Sequence, residues 1–352
     1  MLESVVVLVG RANACLSRYD GLLESLVNPN VLLSPLLMKE AELSSRIEGT
    51  IATANEVYQR QAGEEFEPEK AADIQEILNY RHTLRSVGDE IKEKPISLHL
   101  IRQMHAILMQ GVRGATKNPG KFRDSQNWIG PKGCTIEEAF YVPPSPLVLN
   151  DLLETFIAFV NVEENDLDPI IQAALVHAQF ELIHPFDDGN GRIGRLLIPL
   201  FLMKKGCLVS PSLYISSYLE SHRDEYYGSL ERISEEGDWL GWIRFFLIAL
   251  VNQADDNLKL IRQIIELYDQ KKLEITDLLH SDQAIHILDF LFDTPVFRAT
   301  ELHHRLGIQR QRAAHYLRKL KDASLIAELR PASGRKSAML SFEDLWVITD
   351  QQ

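Results

Sequence analysis

His184-Pro-Phe-Asp-Asp-Gly-Asn-Gly-Arg-Ile-Gly-Arg195 is the stretch around which the 352-residue chain is organised. Before it, Ile170 to Ile183 (IIQAALVHAQFELI) is apolar on nearly every helical face, and after it Ile193 to Met203 (IGRLLIPLFLM) is apolar too. A helix that is greasy all round belongs in a core. The reading therefore predicts two buried helices with a polar loop held at their edge, where a pocket would sit.

The loop residues carry chemistry. Asp188-Gly189-Asn190-Gly191 is a turn sequence in which glycine takes positive φ and leaves backbone N–H groups free. Arg192 falls near the start of the next helix, where N–H groups and the helix dipole favour an anion. Arg192 and Arg195 share a helical face at a spacing of three, and two guanidiniums there suit two phosphates. Asp188 is a hard oxygen ligand for Mg²⁺. His184 has the side chain of a general base for a hydroxyl. Each feature alone is commonplace: Asn-Gly is usually just a turn, and arginines at spacing three are usually solvated. In register between two buried helices, they describe nucleotide phosphoryl or nucleotidyl transfer.

These twelve residues resemble the signature loop HPFx(D/E)GNGRxxR of Fic-domain proteins, with every fixed position matched. GKFRDSQNWIG (120–130) and YVPP (141–144) resemble the stretch that precedes and forms that family's target-docking flap. SSRIEG (44–49) resembles its inhibitory motif (S/T)xxxE(G/N), and the likeness extends over roughly residues 11 to 270. The resemblance implies a protein adenylyltransferase moving AMP from ATP to a Ser, Thr or Tyr hydroxyl of a target protein, with Mg²⁺ as cofactor. Removal of AMP is a further activity consistent with it. His184 would be the catalytic base and Asp188 the metal ligand. Gly189, Asn190, Gly191, Arg192, Ile193, Gly194 and Arg195 would bind ATP, with Tyr226 beside the adenine; His222 departs from the asparagine common in the family's NRxxYY-like run. Trp128, Ile129, Gly130 and Tyr141 would form the flap. Ser44, Glu48 and Gly49 would form the inhibitory element of the class with an N-terminal inhibitory helix, Glu48 pairing with Arg195. A Doc-type kinase is disfavoured, because those proteins carry Lys where Gly191 stands.

Composition sets outer bounds. A net charge of −13 argues against non-specific nucleic-acid or membrane binding by the chain as a whole. Three cysteines, Cys15, Cys134 and Cys207, have no metal-like spacing and predict no disulfide framework, in keeping with a cytoplasmic protein. No apolar run approaches the ~18 residues of a membrane span.

The coarse pattern is mainly α: a Fic-type helical core with a small β-hairpin flap near 128–143 and a C-terminal winged helix-turn-helix. The expected domains are 1–95, an N-terminal helical region with the inhibitory helix at about 36–49; 96–275, the catalytic core; and 282–352, the winged helix. Two helices, 239–254 and 257–273, are expected to close the core. Beyond residue 281 the charge shifts from 27 Lys/Arg against 41 Asp/Glu to 10 against 9. There Gln309 to Leu320 (QRQRAAHYLRKL) follows a turn at Gly307 and precedes two expected strands around PASGRK. Such modules bind DNA or proteins, or dimerise. The competing reading is accordingly a DNA-binding regulator whose Fic domain senses nucleotide. A homodimer is expected.

Overall fold

The computed structural model describes residues 2–112, 118–131, 133–163, 166–334 and 336–349. The first helices are α1 (Leu2–Glu24), α2 (Pro29–Leu32), α3 (Ser34–Ile47), α4 (Ala54–Gln61), α5 (Pro68–Glu93) and α6 (Leu98–Leu108). α7 (Leu149–Val160), α8 (Pro169–Ile183), α9 (Asn190–Lys204), α10 (Ser216–Ser221), α11 (Arg223–Glu236) and α12 (Trp239–Leu279) follow. The C-terminal part holds α13 (Ala284–Asp293), β1 (Val296–Arg298), α14 (Glu301–Leu306), α15 (Arg310–Asp322), β2 (Ala327–Arg330), β3 (Met339–Ser341) and α16 (Glu343–Thr349). No described helix is long and apolar enough to cross a membrane.

The chain divides into two compact units. The first comprises residues 1–25, 40–51 and 75–255. Its core is the pair α8 and α9. Ala174, Ala178, Phe180, Ile193, Leu196 and Leu200 have no solvent exposure, and each large apolar side chain so buried contributes about 1.5–3 kcal/mol. α8 starts where its sequence says it should: Pro169 occupies the first turn and Asp168 Oδ1 accepts from the Ile170 N–H at 2.8 Å. Trp242 of α12, itself fully buried, donates its indole N–H to the Ala174 carbonyl of α8 at 2.8 Å.

The second unit comprises residues 26–39, 52–74 and 256–352. It contains one antiparallel sheet in the order β1-β3-β2, with Phe297 opposite Leu340 and Ala327 opposite Ser341. The sequence predicts two strands here; β1 is the third. Val296 and Phe297 are fully buried, and so short a run carries no alternation by which to recognise it. Gly307, at φ 62°, makes the turn between α14 and α15. Thr300, at the start of α14, makes no side-chain cap bond; its hydroxyl meets Ser337 Oγ at 3.1 Å.

Two other expectations change. The helices expected at 239–254 and 257–273 form one 41-residue helix, α12, because Asp255-Asp256 interrupts the apolar pattern without supplying a glycine or proline to break the backbone. The expected flap hairpin is reduced to one antiparallel bridge, Ile129 with Tyr141, spanning a turn of 3₁₀ helix at Ile136–Glu138. Pro143 and Pro144 stop that pairing from extending. Lys132 of the expected flap turn, Arg335 of the basic tip and part of the acidic loop at 163–168 lie outside the described residues.

Candidate active site

All the groups gathered here belong to the first unit. α8 ends at His184, whose backbone is left-handed (φ 48°, ψ 61°) and whose N–H still bonds the Phe180 carbonyl at 3.0 Å. A non-glycine residue in that region is uncommon and marks a conformation imposed by its surroundings. Arg123 is what imposes it. Its buried guanidinium donates to the carbonyls of His184 at 2.9 Å, Ile183 at 3.3 Å and Pro144 at 2.6 Å. Its own N–H donates to the Pro185 carbonyl at 2.9 Å. A cation at the C-terminal end of α8 satisfies carbonyls that the helix leaves open.

Asn190 closes the loop. Its Oδ1 accepts from the Phe186 N–H at 2.9 Å and its Nδ2 donates to the Phe186 carbonyl at 2.8 Å. Both ends of its amide are used within the loop, and it is 2% exposed. Phe186 in turn stacks on His105, centroids 3.8 Å apart. His105 accepts the Gly120 N–H at Nδ1 (2.8 Å), which leaves Nε2 protonated to donate to the Asp188 carbonyl at 2.9 Å. Burial pushes that imidazole down to about 4, so it stays neutral in this role.

The loop glycines are required for different reasons. Gly189 has φ 78° and donates its N–H to Asp188 Oδ1 at 2.7 Å. Gly191 leaves room: a Cβ there would collide with Glu48 Oε1. A Cβ on Gly194 would likewise strike Glu181, whose carboxyl burial pushes up to about 8.

The two arginines are buried and each meets acid. Arg192 Nη1 lies 3.2 Å from Glu76 Oε2, and its Nη2 is 3.6 Å from Asp188 Oδ1. Glu76 also accepts from Thr50 Oγ1 at 2.6 Å. Arg195, 1% exposed, donates from Nε to Ser44 Oγ and from Nη2 to the Ser44 carbonyl, both at 2.9 Å. The same Nη2 donates to Glu48 Oε1 at 2.7 Å. Burial alone would push the Glu48 carboxyl up, but Arg195, Arg192 and His184 together hold it below the usual carboxylate range. Gly49, at φ 94°, lets the chain leave α3 immediately afterwards.

His184 Nδ1 lies 3.3 Å from the Glu181 carbonyl, a partner that takes a proton on Nδ1 and leaves Nε2 as the free acceptor. Burial lowers the imidazole to about 4, partly offset by the Glu181 carbonyl, Glu48 and Asp188. The imidazole is therefore neutral near pH 7. Asp188 is about one-third exposed on its side chain and offers a hard oxygen beside the loop. Among the described residues no group of three or more His, Cys, Asp or Glu could hold a metal alone. The donor set fits Mg²⁺, which characteristically takes one or two carboxylates plus phosphate oxygens and water.

The tyrosine pair separates sharply. Tyr226, expected beside the adenine, is 1% exposed, with its hydroxyl 2.9 Å from His177 Nε2. Its neighbour Tyr227 is 40% exposed, and its hydroxyl senses both Glu48 and Arg195. The open ring of the pair is thus Tyr227. On the flap, Ile129 N–H donates to the Tyr141 carbonyl at 2.8 Å and Tyr141 OH to the Leu182 carbonyl at 2.7 Å. The Trp128 indole donates to Cys134 O at 3.0 Å while its ring stays exposed. Gly130 has no room for a Cβ beside Cys134 and Ala139.

The first unit is thus a helical core whose central loop carries two buried arginines, each set against a carboxylate, beside the His184 imidazole. Residues 6–87 match the Fic/DOC family N-terminal domain and residues 95–202 match the Fic/DOC family, and the chain belongs to that family. It is 28% identical over 246 residues to a probable protein adenylyltransferase of Aquifex aeolicus, covering 65% of this chain and 68% of that protein. Protein adenylyltransferase Fic of Drosophila mojavensis is 36% identical over 172 residues, 48% of this chain and 31% of that protein. The chain spans between a fifth and a third of the insect relatives it matches. A Fic family protein from Desulfovibrio desulfuricans shares the fold over 96% of this chain and 95% of its own, with TM-score 0.61 and 20% identity. A Fic domain containing signaling protein from Bacteroides thetaiotaomicron does so over 71% and 98%, with TM-score 0.56 and 23% identity.

Proposed function

We propose that this protein is an ATP-dependent protein adenylyltransferase that transfers AMP to a Ser, Thr or Tyr hydroxyl of a target protein and is held back by Glu48. The observation that carries the reading is the neutral His184 set beside the loop N–H groups and two buried arginines, one of them capped by Glu48. In this reading a target hydroxyl laid along the flap at Trp128–Gly130 and Tyr141 gives its proton to His184 Nε2. Its oxygen attacks the α-phosphorus in line as the bond to pyrophosphate breaks. The N–H groups of Asn190 and Gly191 receive the charge that develops, and the N-terminal turn of α9, including Ile193 and Gly194, frames the phosphates. Arg192 exchanges Glu76 for the β-phosphate and Arg195 exchanges Glu48 for the γ-phosphate. Asp188 would hold Mg²⁺, which supplies neutralising charge to the phosphates. The same base and loop can serve AMP removal in the reverse sense.

Incubation with α-labelled ATP, Mg²⁺ and a lysate, followed by mass spectrometry of labelled proteins, tests the reading. Absence of any labelled protein, with Glu48→Gly as well as wild type, would overturn it.

The segment 282–352 we read as a winged-helix module, and the protein as a cytoplasmic homodimer. Exposed Arg310 and Arg318 on α15 support a DNA contact. Mobility shift with duplex DNA tests that contact, and light scattering tests the dimer.

A further inference from the structure

The inhibitory helix presents three polar side chains at a spacing of four: Glu40, Ser44 and Glu48. Residues so spaced lie on one face. Ser44 and Glu48 are both spent on Arg195. Glu40, two turns before Glu48, makes none of the hydrogen bonds to Arg195, and yet it is 5% exposed. Its Oε1 accepts from Tyr80 OH at 2.9 Å and from Ser216 Oγ at 2.6 Å, and its Oε2 accepts from the Ser216 N–H at 3.0 Å. Both partners are as deeply buried, Tyr80 at 1% and Ser216 at 0%.

A carboxyl in such a place is costly. Burial raises its pKa, against which the Ser216 and Tyr80 bonds and the charge of Arg195 work. Replacing a buried polar cluster by packed apolar side chains is often neutral or better for stability, so stability alone does not call for it. What the cluster supplies is direction: three donors from two elements, α5 and α10, accept only one placement of the helix.

Glu48 needs that placement. It lies just past the end of α3, with about a third of its side chain exposed, and reaches the buried Arg195 through a single oxygen. Its hold on Arg195 depends on the helix arriving with its carboxylate already aimed. We infer that Glu40 is a positioning residue for the inhibitory contact, anchoring the helix on Tyr80 and Ser216 so that Glu48 is delivered to Arg195. This rests on the reading of Glu48 as an inhibitor.

The test is a gain of activity, which damage to the fold would not produce. Incorporation of label from α-labelled ATP is measured for the full chain carrying Glu40→Ala, Glu40→Gln or Ser216→Ala, each alone and with Glu48→Gly. Glu40→Ala should raise labelling roughly tenfold, the scale of one lost hydrogen bond to a charged group. Ser216→Ala should raise it less, since the backbone N–H remains, and Glu40→Gln should fall between wild type and Glu40→Ala, since its one amide oxygen still accepts while its nitrogen cannot. None should add to Glu48→Gly. Amide hydrogen exchange across residues 40–48 should quicken in Glu40→Ala without quickening in α8. Should Glu48→Gly raise labelling while Glu40→Ala and Ser216→Ala leave it level or lower, Glu40 is a packing residue and the inference falls alone. Should Glu48→Gly itself raise nothing, the inhibitory reading falls and takes this inference with it. If Glu40→Ala does not fold, Ser216→Ala and Tyr80→Phe carry the same comparison.

Discussion

Arg195 Nη2 reaches Glu48 Oε1 at 2.7 Å across 147 residues of chain. A guanidinium with no solvent exposure must find an anion, and in this structure the anion is the protein's own. Burial would lower the Arg195 pKa, but Glu48, the largest of the opposing influences, raises it instead. In the proposed reading this carboxylate holds the place of an anionic ligand.

Glu48→Gly should raise AMP transfer by roughly one to two orders of magnitude, the cost on the order of 10² that a misplaced reacting group imposes. Arg195→Ala should lower transfer even in that background, because no cation remains to seat the terminal phosphate. Both are read by label incorporation at saturating ATP. Equal rates for wild type and Glu48→Gly would leave the glutamate no inhibitory role.

His184→Ala should lower transfer about 10²–10⁴-fold, the usual loss for a general base, and leave ATP binding near wild type by calorimetry. Because burial holds His184 at about 4, the acid limb of kcat/KM should fall near pH 4 and not near 6.5. A limb centred at 6.5 would mean that the base is solvated in the working enzyme.

The loop was legible because its information is local. Twelve consecutive residues specify a glycine turn and two arginines on one face, and the apolar runs on either side announce burial. The partners were not legible. Glu76, which meets Arg192, and His105, which bonds Asp188, come from helices far away in sequence, and nothing in their own neighbourhoods distinguishes them from ordinary helical residues. The choice between Tyr226 and Tyr227 was equally hidden: adjacent helical residues point about 100° apart, and only packing says which one is covered.

That packing gives the next expectation. Tyr226→Phe should cost about 1–3 kcal/mol in denaturant unfolding, since it strands the buried His177 Nε2. Tyr227→Ala should instead spare stability and weaken ATP binding. The reverse pattern would put the nucleotide against Tyr226.

Acid should unfold this protein early. Burial depresses His105 to about 4 and His177 to about 3, so each contributes stability present above its unfolded pKa of ~6.5 and lost as pH falls toward those values. Glu48, also held low, loses its contribution below about 4.5 in the same direction. Thermal melts between pH 7 and 4 should show Tm declining from about 6.5 downward, with His105→Gln flattening the first part of the slope. A Tm constant from pH 7 to 5 would show that neither imidazole is as buried in solution.

Arg123 ties the His184 backbone to the segment that ends at Pro144. One guanidinium holds the His184 and Ile183 carbonyls and, through Nη2, the Pro144 carbonyl at the flap's exit. Lysine keeps the charge but has no planar fork, so it cannot hold three carbonyls at these angles. Arg123→Lys should therefore fold, bind ATP with unchanged affinity, and lower kcat roughly 10²-fold, because a base displaced by about 1 Å no longer meets the hydroxyl. KM for the target should rise as well, since the flap loses its tether; in autolabelling, where the target is not presented from solution, only the kcat effect should appear. Steady-state kinetics beside ATP calorimetry separate the two. A variant with normal kcat and weakened ATP binding would place Arg123 at the nucleotide rather than behind His184.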